Sequence, residues 1–345
     1  MINQAIKEDV EKILKKNKEF LFSLAGKKVL ITGGNGFIPS YIVDTLTIIN
    51  KQLNNPCKLI LLNKNPINEK SRLSHLINDS NIEFLSQDVG KPFKINSKID
   101  VIIHAASRAN PTSFLENPLD TIDSNVNGLR TLLDFAVKNP VENFIFFSSA
   151  EIYGNPPNEF IPTPENYNGN VDCTSKRACY SESKRFCETL CMTYFRKYAV
   201  PIKILRIFHT YGPGLRNDGK AITDFFKNGV NYKKILLKDR GESRMTFCYV
   251  SDLINAIFLI LSKGKSGEVY NVGNDLEDIS IIELAKIIGS IIGGVPVIAG
   301  EQGNYRDRFK IELRKPDISK LRELGFAPEI FLKEGLFRMY NSLGI

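Results

Sequence analysis

Short apolar runs recur along most of the chain and alternate with longer stretches of mixed character. The runs cover residues 28–32, 58–62, 82–84, 101–104, 144–147, 202–207 and 269–272. Runs of this length are typical of strands buried on both faces, and helical patterns lie in the stretches between them. The pattern predicts an α/β fold built on a doubly wound parallel sheet.

A glycine-rich turn follows the first run. Gly33-Gly34-Asn35-Gly36 precedes a helical pattern that begins at Phe37 and Ile38. A strand, a glycine turn and a helix in this order are typical of a dinucleotide site of the Rossmann type. Gly33 would permit the tight turn and Gly36 the close approach of a pyrophosphate, which the N-terminus of the helix favours.

Tyr180 and Lys184 are the main candidates for catalysis. They are four residues apart on a predicted helix, so both side chains share one face. A tyrosine with an ordinary pKa of about 10 acts as a base near neutral pH only if its phenolate is stabilised, as an adjacent ammonium group can do. Alone, the pair is also compatible with two solvated side chains on a polar helix.

Composition limits the architecture and the surroundings of the protein. With 345 residues and 43% hydrophobic content, the chain can bury one large α/β core and a smaller lobe. No apolar stretch approaches the roughly 20 residues of a membrane span, and the N-terminus lacks a cleavable signal pattern. Six scattered cysteines without a Cys-x-x-Cys pair predict reduced thiols and no metal site. We therefore expect a cytoplasmic protein without membrane association.

Three regions organise the chain. Residues 1–25 are predicted to form an amphipathic helix, with Ile6, Val10, Ile13 and Leu14 at helical spacing, which we interpret as a packing or oligomer accessory. Residues 26–212 would form the dinucleotide-binding domain. Residues 213–345 would form mainly a substrate-binding lobe, which is discontinuous because the run at 269–272 is expected to return to the sheet.

Motifs in a fixed order reveal a family resemblance. They are the turn at 32–38, Gln87-Asp88-Val89, His104-Ala105-Ala106-Ser107, Asn125, the segments 148–154, 180–184, 206–213 and 249–252, and Arg314-Lys315-Pro316-Asp317. From about Lys27 onward, the chain resembles the extended short-chain dehydrogenase/reductase family and its nucleotide-sugar epimerases, dehydratases and decarboxylases. UDP-glucuronate decarboxylases share the sequences Arg-Ala-Cys-Tyr and Arg-Lys-Pro-Asp and a glutamate where Glu151 stands.

The resemblance implies NAD as cofactor. Its binding residues would be Gly33, Gly36, Phe37, Ile38, Asn63, Asp88, Val89, Ala105, Ala106, Ser107, Asn125, Tyr180 and Lys184. Asn63 stands where NAD-preferring members usually have an aspartate that repels a 2′-phosphate, so NADP stays open as an alternative. Pro39 replaces the third glycine of the fingerprint, and proline is acceptable in a first helical turn.

The resemblance also implies a chemistry. Oxidation of a sugar at C4 acidifies the neighbouring carbons, and NAD would be used and regenerated in one cycle. Tyr180 would take the C4 hydroxyl proton, Lys184 would hold the phenolate, and Ser149 would hydrogen-bond the same oxygen. In isolation, Ser149 is more typical of a buried serine that caps a strand end, but its position roughly 30 residues before Tyr180, as in the family, favours the catalytic role.

Glu151 favours one reaction within the family. The 4,6-dehydratases carry an Asp-Glu pair here, whereas this chain has Ala150 before Glu151, and simple 4-epimerases usually lack the glutamate. Decarboxylation fits best. Arg314 would lie near the sugar carboxylate and assist protonation after carbon dioxide leaves, with Arg306 or Arg308 as alternatives for this role.

The remaining expectations concern the substrate and partners. Ser149, Glu151, His209, Arg244 and Arg314 are the candidate substrate residues, with Arg244 matching a family arginine that binds the diphosphate. The net charge of +8 is spread along the chain, which favours a nucleotide sugar over nucleic acid, and the resemblance implies a UDP-linked one. The resemblance implies a homodimer through two helices per subunit. Besides decarboxylation, 4,6-dehydration, 4-epimerisation and a non-catalytic, NAD-binding regulatory role remain as alternatives.

Overall fold

Strands and helices alternate along the chain. The computed structural model describes residues 2–107, 109–216, 219–300 and 313–343. The strands are β1 (Lys28–Thr32), β2 (Lys58–Asn63), β3 (Ile82–Ser86), β4 (Val101–His104), β5 (Asn143–Ser149), β6 (Ile202–Ile207), β7 (Thr210–Tyr211), β8 (Ile235–Leu236), β9 (Arg244–Thr246), β10 (Cys248–Tyr249), β11 (Glu268–Val272), β12 (Asp278–Ser280), β13 (Val297–Ile298) and β14 (Leu313–Arg314). The α-helices are α1 (Gln4–Phe22), α2 (Phe37–Asn50), α3 (Pro111–Glu116), α4 (Pro118–Lys138), α5 (Ala178–Tyr198), α6 (Ala221–Tyr232), α7 (Val250–Lys263), α8 (Ile281–Ile291), α9 (Ser319–Glu323) and α10 (Leu332–Asn341).

A parallel sheet of seven strands forms the centre of the molecule. Its strand order is β11-β6-β5-β4-β1-β2-β3, and every neighbouring pair is parallel. The chain builds outward from β1 to β3 and then crosses back to place β4 on the other side of β1. The strand order therefore reverses between β1 and β4, where doubly wound sheets bind their ligands. This sheet confirms the predicted fold class and the predicted strand positions.

Alternate residues of the strands enter two separate cores, one on each face of the sheet. Val29 and Ile31 belong to the core formed with α1, α2 and α7, whereas Leu30 belongs to the core formed with α4 and α5. This alternation follows from the two-residue period of a strand. Because both faces are covered, strands such as β4 are buried at every position, which explains their continuous apolar sequences.

The connections beside β3 contain less helix than the sequence led us to expect. Residues 64–81, which the structure describes throughout, form only a short 3-10 turn at Ser74–Leu76 between β2 and β3. The equally well described residues 87–100 contain no helix. Pro66, Gly90 and Pro92, together with several Asn and Ser residues, favour turns over helix in these connections.

The N-terminal helix α1 packs against α2 and α7. Val10 and Ile13 are fully buried in the core shared with α2 and α7. Asp9 is also fully buried, and its carboxylate accepts hydrogen bonds from the hydroxyl groups of Tyr249 at 2.9 Å and Tyr41 at 3.3 Å. Apolar packing and a buried polar contact thus both join α1 to the rest of the fold.

The segment after β7 contributes a smaller layered unit. Helices α6 and α8 pack against each other, β9 pairs with β12 and β14, and β8 pairs with β13. Between these elements, β11 returns to the large sheet beside β6. In the part of the chain that the structure describes, no helix combines the length and the apolar character needed to cross a membrane.

Candidate active site

A cavity of about 700 Å³ lies at the carboxyl ends of the central strands. One wall is formed by the residues that follow β1, β2, β4 and β5, together with the start of α5. Residues of the smaller unit, including Met245, Phe247 and Arg314, form the opposite wall. The cavity therefore lies between the switch point of the sheet and the segment predicted to bind substrate.

The glycine turn is packed too closely for larger residues. Gly33 has a positive φ of 69°, and a Cβ atom there would lie 2.9 Å from Cα of Ala106. A Cβ atom on Gly36 would lie 3.0 Å from the carbonyl oxygen of Gly33 and from Pro39. Pro39 is the third residue of α2, where its missing N–H would have no partner within the helix. Proline therefore costs this helix no hydrogen bond.

The residues around the turn fit a dinucleotide. Gly33, Gly36, Phe37, Ile38, Asn63, Ala105, Ala106 and Ser107 all line the cavity. The N-terminus of α2 directs backbone N–H groups into this region, a favourable arrangement for a pyrophosphate. The cradle formed by the two glycines is consistent with the backbone approaching such a group closely.

The end of β2 carries an amide instead of a carboxylate. Oδ1 of Asn63 accepts a hydrogen bond from the backbone N–H of Asn35 at 3.0 Å, so this side chain also holds the glycine turn. Lys64 forms an ion pair with Asp88 at 2.7 Å. The ribose of a dinucleotide bound here would therefore lie beside the neutral amide of Asn63 and the ion pair of Lys64 with Asp88.

Tyr180 lies near the start of α5 and is buried. Ser149 and Ser107 lie beside its hydroxyl group, and its ring stacks on Phe114 with centroids 5.2 Å apart. Burial raises the pKa of Tyr180 to about 12, although the two serine contacts act in the opposite direction. Deprotonation near neutral pH thus requires additional positive charge.

Lys184 lies one turn after Tyr180 on the same helix. Its ammonium group donates a hydrogen bond to the carbonyl oxygen of Phe147 at 2.8 Å, and burial lowers its pKa to about 8. The structure therefore brings Tyr180 and Lys184 to the same cavity.

Ser149 and Asn125 connect this pair to neighbouring elements. Ser149 ends β5, and its Oγ accepts the backbone N–H of Glu151 at 3.2 Å. Ser107 donates to Asn125 at 2.7 Å, and Asn125 in turn donates to Ser183 on α5 at 2.8 Å. Asn125 is fully buried, so it links the segment after β4 to α5 from behind the cavity wall.

Glu151 is held between two arginines. Nη1 of Arg314 donates to its Oε1 at 2.6 Å, and Nη2 of Arg177 lies 3.8 Å from its Oε2. Burial alone would raise the pKa of Glu151, but the two guanidinium groups outweigh this effect and lower it to about 2. Glu151 is therefore a carboxylate at physiological pH.

His209 lies beside these groups. Its Nε2 atom is buried and has no hydrogen-bond partner among the described residues, and its ring lines the cavity. Burial, reinforced by the charge of Arg314, lowers its pKa to about 3, so the ring is neutral. A neutral imidazole with an unpartnered nitrogen is suited to a hydrogen bond with a ligand.

Other candidate residues lie away from the cavity lining. Val89 packs against Gly128 of α4, and the carboxylate of Asp88 forms an ion pair with Lys64. Arg244 binds Asp278 at 2.8 Å on the other side of β9, while its neighbour Met245 lines the cavity. Successive residues of a strand face opposite sides, which explains this difference. Arg306 and Arg308 lie outside the described residues.

Sequence reasoning missed two residues at the centre of the site. Arg177 lines the cavity three residues before Tyr180, a spacing that places both on neighbouring positions of a helical turn. This spacing from Tyr180 is the feature of the sequence from which Arg177 could have been predicted as a site residue. Phe114, which stacks on Tyr180, comes from the short helix α3 and had no distinguishing pattern in the sequence.

Comparisons with known proteins agree with the fold and the motifs. The NAD dependent epimerase/dehydratase family matches residues 29–273. UDP-glucuronic acid decarboxylase 1 of Xenopus tropicalis is 33% identical over 320 residues, which are 92% of this chain and 72% of that protein. UDP-glucuronic acid decarboxylase 5 of Arabidopsis thaliana is 33% identical over 317 residues, which are 91% of this chain and 89% of that protein.

Solved structures show the same fold at lower identity. An epimerase of Methanothermobacter thermautotrophicus superposes with a TM-score of 0.80 at 22% identity, covering 96% of both chains. UDP-glucuronic acid 4-epimerase of Bacillus cereus, solved in complex with NAD, gives a TM-score of 0.75 at 24% identity and covers 92% of this chain and 96% of its own. The family match, the similar decarboxylases and this shared architecture lead to one conclusion: the chain belongs to the NAD dependent epimerase/dehydratase family of enzymes.

Proposed function

We propose that this enzyme decarboxylates a UDP-linked hexuronate through a 4-keto intermediate, with UDP-glucuronate as the first candidate. The observation that carries the proposal is the ion pair of Glu151 with Arg314 in the cavity that also contains Tyr180. Ala150 precedes Glu151, so the position directly before this glutamate carries no second acidic side chain. The names of the similar decarboxylases support the same choice.

The first step would be oxidation at C4 of the sugar. NAD bound at the glycine turn would supply a reversible hydride acceptor. Tyr180, oriented by Ser149 and Ser107, would accept the proton of the C4 hydroxyl group. Lys184, on the same face of α5, would supply positive charge that lowers the high pKa of the buried phenol.

The second step would follow from the new ketone. A carboxylate attached to C5 becomes β to the C4 carbonyl, so the C5–C6 bond can break with its electron pair moving toward the carbonyl oxygen. Carbon dioxide would leave, C5 would take up a proton with the assistance of Arg314, and C4 would regain its hydride while Tyr180 returns the proton to the C4 oxygen. Glu151, whose pKa is about 2, would remain ionised and hold Arg314 in place.

Dehydration is less compatible with these groups. Loss of a C6 hydroxyl group requires an acid that protonates the leaving oxygen. Ala150 offers only a methyl group, and Glu151 is ionised by its two arginine neighbours. A 4-epimerase reaction would need only Tyr180, Lys184 and Ser149. Product analysis must therefore distinguish 4-epimerisation from decarboxylation.

Product analysis tests the proposal directly. The purified protein, supplied with NAD, is incubated with UDP-glucuronate, and the products are examined by mass spectrometry. We expect a UDP-pentose or its 4-keto form, and no product from the Tyr180→Phe variant. UDP-galacturonate of unchanged mass would instead identify a 4-epimerase. No conversion of any nucleotide sugar by the wild-type protein would support the non-catalytic alternative.

We also propose that the protein is a cytoplasmic homodimer. Leu119 of α4 is 74% exposed and Phe186 of α5 is 51% exposed, on the outer side of two helices that pack against each other. Large apolar side chains on such a surface favour a protein interface. All six cysteines are free thiols, which is consistent with a reducing compartment.

A further inference from the structure

Arg177 and Arg314 differ in how they contact Glu151. The Arg314 side chain is 8% exposed and donates a hydrogen bond to the carboxylate at 2.6 Å. The Arg177 side chain is 40% exposed and approaches the other oxygen only to 3.8 Å, beyond hydrogen-bond distance. Arg314 is thus bound to Glu151, whereas Arg177 contributes its charge and lines the cavity.

Phe114 contacts both Arg177 and Tyr180. The guanidinium carbon of Arg177 lies 5.4 Å from the centre of the Phe114 ring. The Tyr180 ring is nearly parallel to the same ring, at an interplanar angle of 12°. A guanidinium group over an aromatic face is attracted by the ring quadrupole. This contact favours a position of Arg177 close to the proposed catalytic tyrosine.

Among the described residues, the charges of the two arginines at Glu151 exceed the charge of the carboxylate by one. Arg177 and Arg314 carry two positive charges, and Glu151 carries one negative charge. His209 beside them is neutral. A guanidinium group in such a place is suited to a carboxylate, which it can bind through two parallel hydrogen bonds.

We propose that Arg177 binds the carboxylate of the sugar and thereby selects hexuronates over neutral hexoses. This inference rests on the proposed function, because it assigns a recognition role within the same cavity. A hexose with a hydroxymethyl group in place of the carboxylate would offer Arg177 no negative charge to bind. Arg314 retains its contact with Glu151 in this arrangement.

Binding measurements separate recognition from turnover. In the Tyr180→Phe background and with saturating NAD, calorimetry gives the dissociation constants of UDP-glucuronate, UDP-glucose and UDP. We expect UDP-glucuronate to bind about tenfold or more tightly than UDP-glucose, as loss of a charge-assisted contact implies. Adding Arg177→Gln should remove this difference while changing the binding of UDP and UDP-glucose by no more than about twofold. Arg177→Lys should restore part of the difference.

Lys176→Gln is the matched control, since it removes one positive charge from an exposed neighbouring position. It should leave the preference for UDP-glucuronate intact. An unchanged preference in Arg177→Gln would overturn the inference, and so would an equal loss of affinity for all three ligands, which would indicate a structural role. If the preference depends on Arg177 but the wild-type protein converts no UDP-glucuronate, the proposed function fails and the recognition role remains.

Discussion

Glu151 is ionised because of its neighbours and despite its burial. Without a carboxylate at this position, the guanidinium group of Arg314 would be a buried charge with no counter-ion. Uncompensated buried charges are strongly destabilising. At the level of single residues, the ion pair therefore supports both the structure of the site and its proposed chemistry.

Replacing Glu151 by Gln tests this dual role. We expect the turnover of UDP-glucuronate to fall by about 10²-fold or more, because Arg314 loses the partner that orients it, and the melting temperature to decrease. Product assays and thermal unfolding provide the two measurements. Glu159→Gln, at an exposed position of the same connection, should change neither. Wild-type activity in Glu151→Gln would exclude Glu151 from the reaction.

Asn63 provides a second test at a single residue, concerning cofactor choice. Asn63→Asp keeps the oxygen that accepts the N–H of Asn35 but adds a negative charge at the end of β2. An acidic residue here favours the ribose hydroxyl groups and repels a 2′-phosphate. We expect the ratio of NADP to NAD dissociation constants to increase by about tenfold, measured by fluorescence titration. An unchanged ratio would show that the adenosine ribose of the cofactor does not bind beside Asn63.

At the level of elements, the sequence predicted the strands and helices whose positions follow from the periodicity of apolar residues. Continuous apolar runs such as Val101–His104 identified the strands, because both faces of the sheet are covered. The assignment of Arg244 to the substrate rests on the family resemblance alone, because spacing could not determine which side of β9 faces the cavity. In the structure Met245 lines the cavity and Arg244 binds Asp278. The role of Phe114 could not be predicted from the sequence either, because its contact with Tyr180 depends on how the separate short helix α3 packs.

Helix α1 gives a prediction about pH. Burial raises the pKa of Asp9 from 3.8 to about 6, against the opposing effects of Tyr249 and Arg338. Between these values the folded state binds more protons than the unfolded state, so the free energy of unfolding falls as pH rises. The expected loss is about 3 kcal/mol between about pH 4 and pH 7, at about 1.4 kcal/mol for each pKa unit.

Asp9→Asn lacks this titration and resembles the protonated side chain. We therefore expect its stability to decrease less than that of the wild-type protein over this pH range, as measured by urea unfolding. Glu11→Gln, on the exposed side of α1, serves as the control and should follow the wild-type curve. If the free energy of unfolding depended on pH in the same way for Asp9→Asn and the wild-type protein, ionisation of Asp9 would not destabilise the folded state.

At the scale of the whole molecule, α5 faces two ways. Tyr180 and Lys184 point toward the cavity, whereas Phe186 is exposed on the opposite side of the same helix. If this outer side, together with Leu119 and Ile122 of α4, forms a dimer interface, association would also stabilise the helix that carries the proposed catalytic pair. Burial of large apolar side chains is the main favourable term in such an association.

Phe186→Glu tests the dimer, because it would place a charge in the centre of the proposed apolar contact. We expect the mass measured by light scattering to change from about twice 38.9 kDa to a single 38.9 kDa chain at micromolar concentration. Phe337→Glu is a matched control, since Phe337 is similarly exposed at 54% and lies on α10, which packs against α1, α8 and β10. A wild-type monomer, or equal dissociation of both variants, would contradict this interface. Selective dissociation of Phe186→Glu would place the subunit contact directly behind the catalytic helix.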